Sequence, residues 1–199
     1  MSETTRFTPI GRGKIAAIAT TLEMRAAAPP RPVPAGIDGE IVSLRDISAD
    51  DYLDLFRRVG QDYLWLTRLV MSREDLETLL ASPDAQIFGE RVDGRLEGLL
   101  ELDWSAGDGT CEIKYFGVTR GRQATGAARR LMNHAIEAAF GAGATRLWLH
   151  TNTMDHPRAL AFYARSGFEP VRQEVEINDD PRLAGLLPRD AAPHVPIFE

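Results

Sequence analysis

Residues 118–140, VTRGRQATGAARRLMNHAIEAAF, constrain this chain more than any other stretch. They follow CEIKYFGV, a run with the residue types of a strand. After a short basic turn, Ala128, Leu131, Met132, Ala135, Ile136 and Ala139 recur at three- and four-residue spacing, which predicts a helix with one apolar face. The junction between the two elements is built from small residues, which let a ligand approach the backbone closely. A helix start also presents unpaired N–H groups and the positive end of the helix dipole. Strand, small-residue turn and helix start together predict an anion site, and phosphate is the usual anion.

The glycine patterns of dinucleotide and ATP-type loops, G-x-G-x-x-G and G-x-x-x-x-G-K-[ST], are both missing. The junction instead reads Q-x-x-G-x-A, from Gln123 through Gly126 to Ala128, five residues after Val118. This resembles the pyrophosphate-binding [QR]-x-x-G-x-[GA] motif of the GCN5-related N-acetyltransferases (GNAT), which cradle acetyl-coenzyme A. A tightly packed helix start is the other reading of the same six residues.

A second segment agrees with the first. DHPRALAFYARSGF, residues 155–168, is similar to the superfamily's second coenzyme A segment, N-x-x-A-x-x-x-Y-x-x-x-G-F, with Ala159, Tyr163, Gly167 and Phe168 in place. His156 stands where that pattern has asparagine, and a histidine can also hydrogen-bond. The two motifs occur in the right order, separated by one helix and one strand, so they are more specific together than either is alone. The resemblance covers about residues 40–177.

Composition sets the remaining bounds. A chain of 199 residues fits one domain with an extension. Its 44% hydrophobic and 26% charged residues are ordinary for a globular protein. A net charge of −6 disfavours general nucleic-acid binding and suits a cationic acceptor such as an amine. The single cysteine, Cys111, lies in a β-like run, excludes an intramolecular disulfide and fits a reducing compartment. Four scattered histidines give no metal spacing, and no apolar run approaches the roughly 20 residues that span a bilayer. With no secretory signal pattern, the expectation is a cytoplasmic protein with no nucleic-acid or membrane partner and no metal.

In chain order, residues 1–14 are polar and read as irregular. Residues 15–24 are apolar enough for a strand or a short helix, and periodicity does not arbitrate. Four prolines in residues 26–39 forbid a continuing helix. Residues 1–39 are therefore expected to be an extension and linker that packs on the main domain or on a second subunit. Residues 40–45 read as a strand, and helices follow after the caps Ser48 and Ser72, the first closed by Gly60 and the second ending before Pro83. Two strands flank Asp93-Gly94, a strong hairpin signal. A third strand spans 110–118, and Gly141 and Gly143 stop the central helix. A strand at 145–151, a helix opened by Pro157 and a strand at 168–177 complete the pattern. The proline-rich residues 179–199 read as a wrapping tail. The prediction is one α/β domain over residues 40–178, with a mixed sheet flanked by helices.

The resemblance implies more than the pattern alone. It implies a twisted sheet splayed beside the strand that ends at Val118, with the pantetheine arm of acetyl-CoA bonding backbone around Phe116, Gly117 and Val118. The pyrophosphate would rest on amides of Gln123, Ala124, Thr125, Gly126, Ala127, Ala128 and Arg129, with Arg122, Arg129 or Arg130 adding charge-assisted bonds. His156 would adjust the cofactor contact. Tyr163 matches the family's general acid, placed near the departing sulfur; a tyrosine on a packed helix face is the structural alternative. A primary amine with pKa about 10.4 is protonated at neutral pH, so a general base helps. Glu112 and Glu101 are candidate bases, with Asp103 a rival and a water chain the alternative. The family commonly builds its acceptor pocket from the first two helices and their linker, which nominates Tyr63, Trp65 and Arg68, with Asp155 and the tail near His194 as further candidates. The expected function is transfer of an acetyl group from acetyl-CoA to a primary amine of a small molecule or peptide. A non-catalytic acyl-CoA-binding or sensor domain is the alternative, and a homodimer is compatible with exposed strands.

Overall fold

The computed structural model describes residues 7–199. Residues 1–6, the start of the stretch read as irregular, lie outside the described residues. Eleven elements follow in order: β1 (Lys14–Met24), β2 (Glu40–Ser43), α1 (Ala49–Gly60), α2 (Arg73–Ala81), β3 (Ala85–Val92), β4 (Arg95–Asp103), β5 (Thr110–Val118), α3 (Ala127–Gly141), β6 (Arg146–Asn152), α4 (Ala159–Arg165) and β7 (Glu169–Asp179). From β2 onward this is the predicted sequence of elements, a single α/β domain with a mixed sheet.

Local chemistry sets the boundaries. Ser48 Oγ accepts from the Asp51 amide at 3.1 Å, and Ser72 Oγ does the same for Asp75 at 3.1 Å. Asp93 and Gly94 both have positive φ, 48° and 79°, as a two-residue hairpin turn between β3 and β4 requires.

The strands lie in the order β2-β3-β4-β5-β6-β1-β7. All neighbours are antiparallel except β5 and β6. Residues 14–24, which fit strand or helix equally well as sequence, are a strand inside the sheet, with β6 on one side and β7 on the other. The chain then crosses residues 25–39 to reach the opposite edge at β2.

Two apolar layers sandwich the sheet. On one face α3 and α4 bury Leu131, Met132, Ala135, Ile136, Ala139 and Tyr163 against Leu22, Leu100, Leu102, Ile113, Leu147 and Leu149. On the other face, α1 and α2 bury Tyr52, Leu55, Phe56, Leu76 and Leu80 against Ile87 and Leu99. Each buried leucine, isoleucine, methionine or phenylalanine among them contributes about 1.5–3 kcal/mol of transfer free energy. The tail returns to cover this second face farther along: Leu187, Ala191 and Ala192 pack on Ile15, Ala17, Leu64 and Met154. Arg182 holds the tail in shape by pairing with Asp180 and donating to the carbonyls of Ala191 and Val195. Among the described residues, no helix is long and apolar enough to cross a membrane.

Candidate active site

The parallel pairing of β5 with β6 stops almost as soon as it starts. It covers only Thr110–Glu112 against Arg146–Trp148, after which both strands continue without each other, β5 to Val118 and β6 to Asn152. A bulge contributes to the divergence: Leu102 faces Ile113 while Glu101 faces Tyr115, so Lys114 is the extra residue and β5 bends there. The inner edge of β5 beyond Glu112 thus has backbone groups with no ladder partner in β6.

A cavity of about 310 Å³ fills the fork. Tyr63 and Trp65 from the loop after α1 wall one side, Tyr115 and Phe116 come from β5, His150 from β6, and Tyr163 from α4. Trp65 stacks near Phe56 and Tyr115, with ring centres 5.4 and 4.9 Å away. It is seated by two glycines: a Cβ on Gly60 would lie 2.4 Å from its ring, and a Cβ on Gly117 would lie 2.7 Å from Val59. Gly117 is therefore required for α1 and Trp65 to close over β5.

Tyr163 is 8% exposed, wedged among Phe116, Phe162 and Phe168. Burial, reinforced by the charge of Asp155, pushes its phenol well above the ordinary tyrosine value. It remains a proton donor throughout the physiological range. Asp155, also on the cavity wall, accepts from the Thr151 hydroxyl at 2.6 Å and the Asn152 amide at 3.0 Å. His156 caps the turn into α4, its Nδ1 accepting from the Arg158 amide at 3.1 Å, and its ring lies 6.4 Å from that of Tyr63.

The anion-type turn follows β5. Val118 is buried, and Gly126 caps α3 with φ 104°. Ala124 also has positive φ, 61°. Thr125 Oγ1 donates to the Arg122 carbonyl at 2.8 Å and accepts from the Ala127 amide at 3.3 Å. The amides of Ala128 and Arg129 lie in the first turn, where no helical carbonyl precedes them. Gln123 ties this turn to the cavity: its Nε2 donates to the Tyr63 hydroxyl at 3.0 Å.

The nearby arginines are already engaged. Arg122 pairs with Asp38 at 2.7 Å and with the fully buried Glu90 at 3.2 Å. Arg130 reaches Glu90 at 2.5 Å and the carbonyls of Asp38 and Gly39 at 2.8 Å each, and Arg129 donates to the Pro32 carbonyl. Residues 31–39 are thereby strapped along α3. A Cβ at Gly126 would come within 2.5 Å of Pro34, so the strap lies directly on the helix cap.

The carboxylates sort into two kinds. Glu112 sits where β5 and β6 part, 8% exposed, with Lys114 Nζ at 3.1 Å and His150 Nδ1 at 3.7 Å. The Glu112 carboxylate holds the His150 imidazole above its ordinary value. Glu101 is different. It is 1% exposed, accepts from the Tyr52 hydroxyl at 2.6 Å and pairs with buried Arg68. Although burial opposes the charge, the field of Glu101 and its hydrogen bond hold the Arg68 guanidinium more firmly protonated than usual. Neither Glu101 nor Arg68 lines the cavity. The alternation of leucines and acids along β4 reads as a solvated acidic face, yet at Glu101 that face is closed by α1 and the Arg68 loop. Asp103 accepts from the Ser105 amide at 2.8 Å, and His194 is exposed; neither lines the cavity. Cys111 is fully buried, its thiol pushed up to about 12 by burial.

Sequence reasoning did not single out His150, Asn152, Glu176 or Asn178, all of which line the cavity. The signal for His150 and Asn152 was present: in RLWLHTN, Trp148, His150 and Asn152 alternate with Leu147, Leu149 and Thr151. Glu176 and Asn178 arrive only through the β1–β7 pairing, which opposes them to Ala17 and Ile15.

No curated protein matches the sequence significantly. Solved structures match its fold at low identity. A GCN5-related N-acetyltransferase from Kribbella flavida superposes with TM-score 0.57 at 20% identity, over 87% of this chain and 63% of that one. A functionally unknown conserved protein from Staphylococcus epidermidis gives 0.54 at 13%, over 84% and 64%. The ribosomal-protein-S18-alanine N-acetyltransferase from Escherichia coli gives 0.55 at 16%, over 70% and 90%. The chain thus spans less than two thirds of the first two proteins. The sequence pattern of the Acetyltransferase (GNAT) family matches residues 30–168, from the strap through both motif segments to Phe168, and the chain belongs to that family.

Proposed function

We propose that this protein transfers an acetyl group from acetyl-CoA to a primary amine, with the acceptor entering the forked cavity between β5 and β6. The observation that carries this reading is Tyr163: a buried, protonated phenol at the wall of a cavity that opens along an unpaired β5 edge. Acetyl-CoA would supply an acyl carbon open to attack and a thiolate leaving group. The residues present suit it. The β5 backbone at Phe116, Gly117 and Val118 offers donors and acceptors to an extended amide-bearing arm. The turn from Gln123 to Arg129 offers α3 amides to phosphate.

Tyr163 holds its proton on the phenolic oxygen and delivers it to the departing sulfur as the C–S bond breaks, and the proton that the new amide nitrogen sheds restores the phenol. The amine must lose a proton before it attacks, and His150, on the cavity wall with Glu112 behind it and off the wall, is the acceptor that fits this step. Glu101 does not, since Tyr52 and Arg68 already occupy both carboxylate oxygens. Tyr63 and Trp65 supply aromatic walls suited to an ammonium group, and Asp155 and Glu176 face the cavity with only neutral hydrogen-bond donors. A reducing, cytoplasmic setting suits the lone buried thiol.

The test is calorimetric titration with acetyl-CoA and coenzyme A, followed by thiol-release assays against an amine panel. Tyr163→Phe should keep acetyl-CoA affinity within about threefold while turnover falls roughly 100-fold, the usual worth of a positioned acid. Turnover unchanged by that substitution removes Tyr163 from the chemistry. Binding without thiol release for any amine indicates an acyl-CoA-binding domain instead.

A further inference from the structure

The arginines around the start of α3 fall into two groups. Arg122 and Arg130 are neutralised by carboxylates, Asp38 for the first and buried Glu90 for both. Arg129 is not, for its guanidinium donates to the neutral carbonyl of Pro32 in the strap. Arg31, one residue earlier in the strap, reaches the other way. It donates to Ser166 Oγ at the end of α4 at 3.2 Å and lies 5.5 Å over the Phe162 ring. Arg165, next to Ser166 in the last turn of α4, is exposed. Among the described residues, no carboxylate pairs with Arg31, Arg129 or Arg165.

The convergence is fixed by the fold. Asn133, one turn after Arg129 on α3, grips the Arg31 backbone from both sides: its Oδ1 accepts from the Arg31 amide at 3.0 Å and its Nδ2 donates to the Arg31 carbonyl at 2.8 Å. Like charges held together oppose one another. Burial, and then the fields of Arg129 and Arg165, hold the Arg31 guanidinium below its ordinary value. The negative end of the α4 dipole accounts for a cation at Arg165. It does not account for a second one brought there by the strap, or for a third on α3. A guanidinium carries several N–H donors, and the contacts above engage one from Arg31 and one from Arg129. The rest suit an anion with several acceptor oxygens. A phosphate monoester is such a group, with a charge of about −2 at neutral pH.

We propose that Arg31, Arg129 and Arg165 form a subsite for the 3′-phosphate of coenzyme A, so that the strap supplies a ligand to the cofactor site and the protein distinguishes coenzyme A from its 3′-dephospho form. The proposal rests on the acetyl-CoA reading above, in which the pyrophosphate takes the α3 amides. The 3′-phosphate, one ribose away along the cofactor, then meets the arginines gathered beside that turn.

Calorimetric titration of the full chain with coenzyme A and with 3′-dephospho-coenzyme A reads this without turnover. Coenzyme A binds at least about tenfold tighter, the worth of one charge-assisted hydrogen bond. Arg31→Gln and Arg165→Gln each shrink that preference about threefold or more, because each removes one cation from a partly exposed cluster. Both leave the affinity for 3′-dephospho-coenzyme A within about twofold, which reports that the rest of the site is intact. Arg165 is exposed, so its replacement also leaves circular dichroism unchanged. Equal affinities for the two nucleotides, or a preference that either variant leaves unchanged, overturn the subsite while the acetyl-CoA reading stands. Failure of both nucleotides to bind removes that reading, and the subsite with it.

Discussion

Glu101→Ala separates a structural carboxylate from a catalytic one. In the folded protein Glu101 is 1% exposed and answers two groups, the Arg68 guanidinium and the Tyr52 hydroxyl. Removing it leaves Arg68, itself 8% exposed and with Nε already lacking a partner, as an uncompensated buried charge. Such a loss costs about 3–5 kcal/mol, and the orphaned Tyr52 hydroxyl moves the value toward the upper end. Against a total stability of roughly 5–15 kcal/mol, that is a large fraction. With a urea dependence of about 2 kcal/mol per molar, the unfolding midpoint falls by about 2 M. The pair replacement, Arg68→Met with Glu101→Leu, removes both charges together and recovers most of the loss, because neither buried charge is then left alone. The assay is urea denaturation followed by intrinsic fluorescence, run beside thiol-release kinetics. An unchanged midpoint with turnover reduced 100-fold or more would refute the structural reading and return Glu101 to the chemistry.

Three further outcomes follow from the same geometry. Gly126→Val forces a branched side chain into a backbone with φ 104° and against Pro34; it costs about 1–3 kcal/mol in denaturation, and an unchanged midpoint would show that the strap yields freely. Asp38→Ala removes the exposed partner of Arg122 and loosens residues 32–38; amide exchange there accelerates, and acetyl-CoA binds about threefold tighter if the strap and the phosphates share that arginine. Equal affinities, with the exchange difference intact, would show that they do not share it. His150 is raised by Glu112, so the fold favours its protonated form. Its contribution is full below the ordinary histidine value of about 6.5 and disappears as pH climbs through the raised one. His150→Gln should therefore lower the urea midpoint at pH 5.5 but not at pH 9, and equal effects at both would exclude this coupling.

Local features were the legible ones. The alternation and period of β5 and α3, the serine caps, the Asp93-Gly94 turn and the spacing around Tyr163 are all written over a few residues, and each element formed where its pattern lay. What resisted reading was every contact between distant segments. Residues 14–24 carry no mark of their partners, since the strands that flank them come more than a hundred residues later. Glu101 looks like any solvated acid on an alternating strand, because Tyr52 and Arg68 answer it from a helix and a loop. Nothing in the residues around Gly126 announces that Asp38, Glu90 and the strap carbonyls engage Arg122, Arg129 and Arg130. His150 lay in plain alternation beside apolar neighbours, and its meaning depended on Glu112 in another strand.

The position of β1 also governs how the chain comes together. Strands β3 to β5 join neighbours close in sequence and can assemble as a growing meander. β7 has no such option, for among the described strands its sole neighbour is β1. During synthesis β1 must stay unpaired until residues 146–179 have followed it, a long-range closure of the kind that slows folding and leaves apolar strands exposed meanwhile. Among the described strands β7 is thus held by β1 alone, and damage to β1 is felt far along the chain, where β7 would lose its ladder.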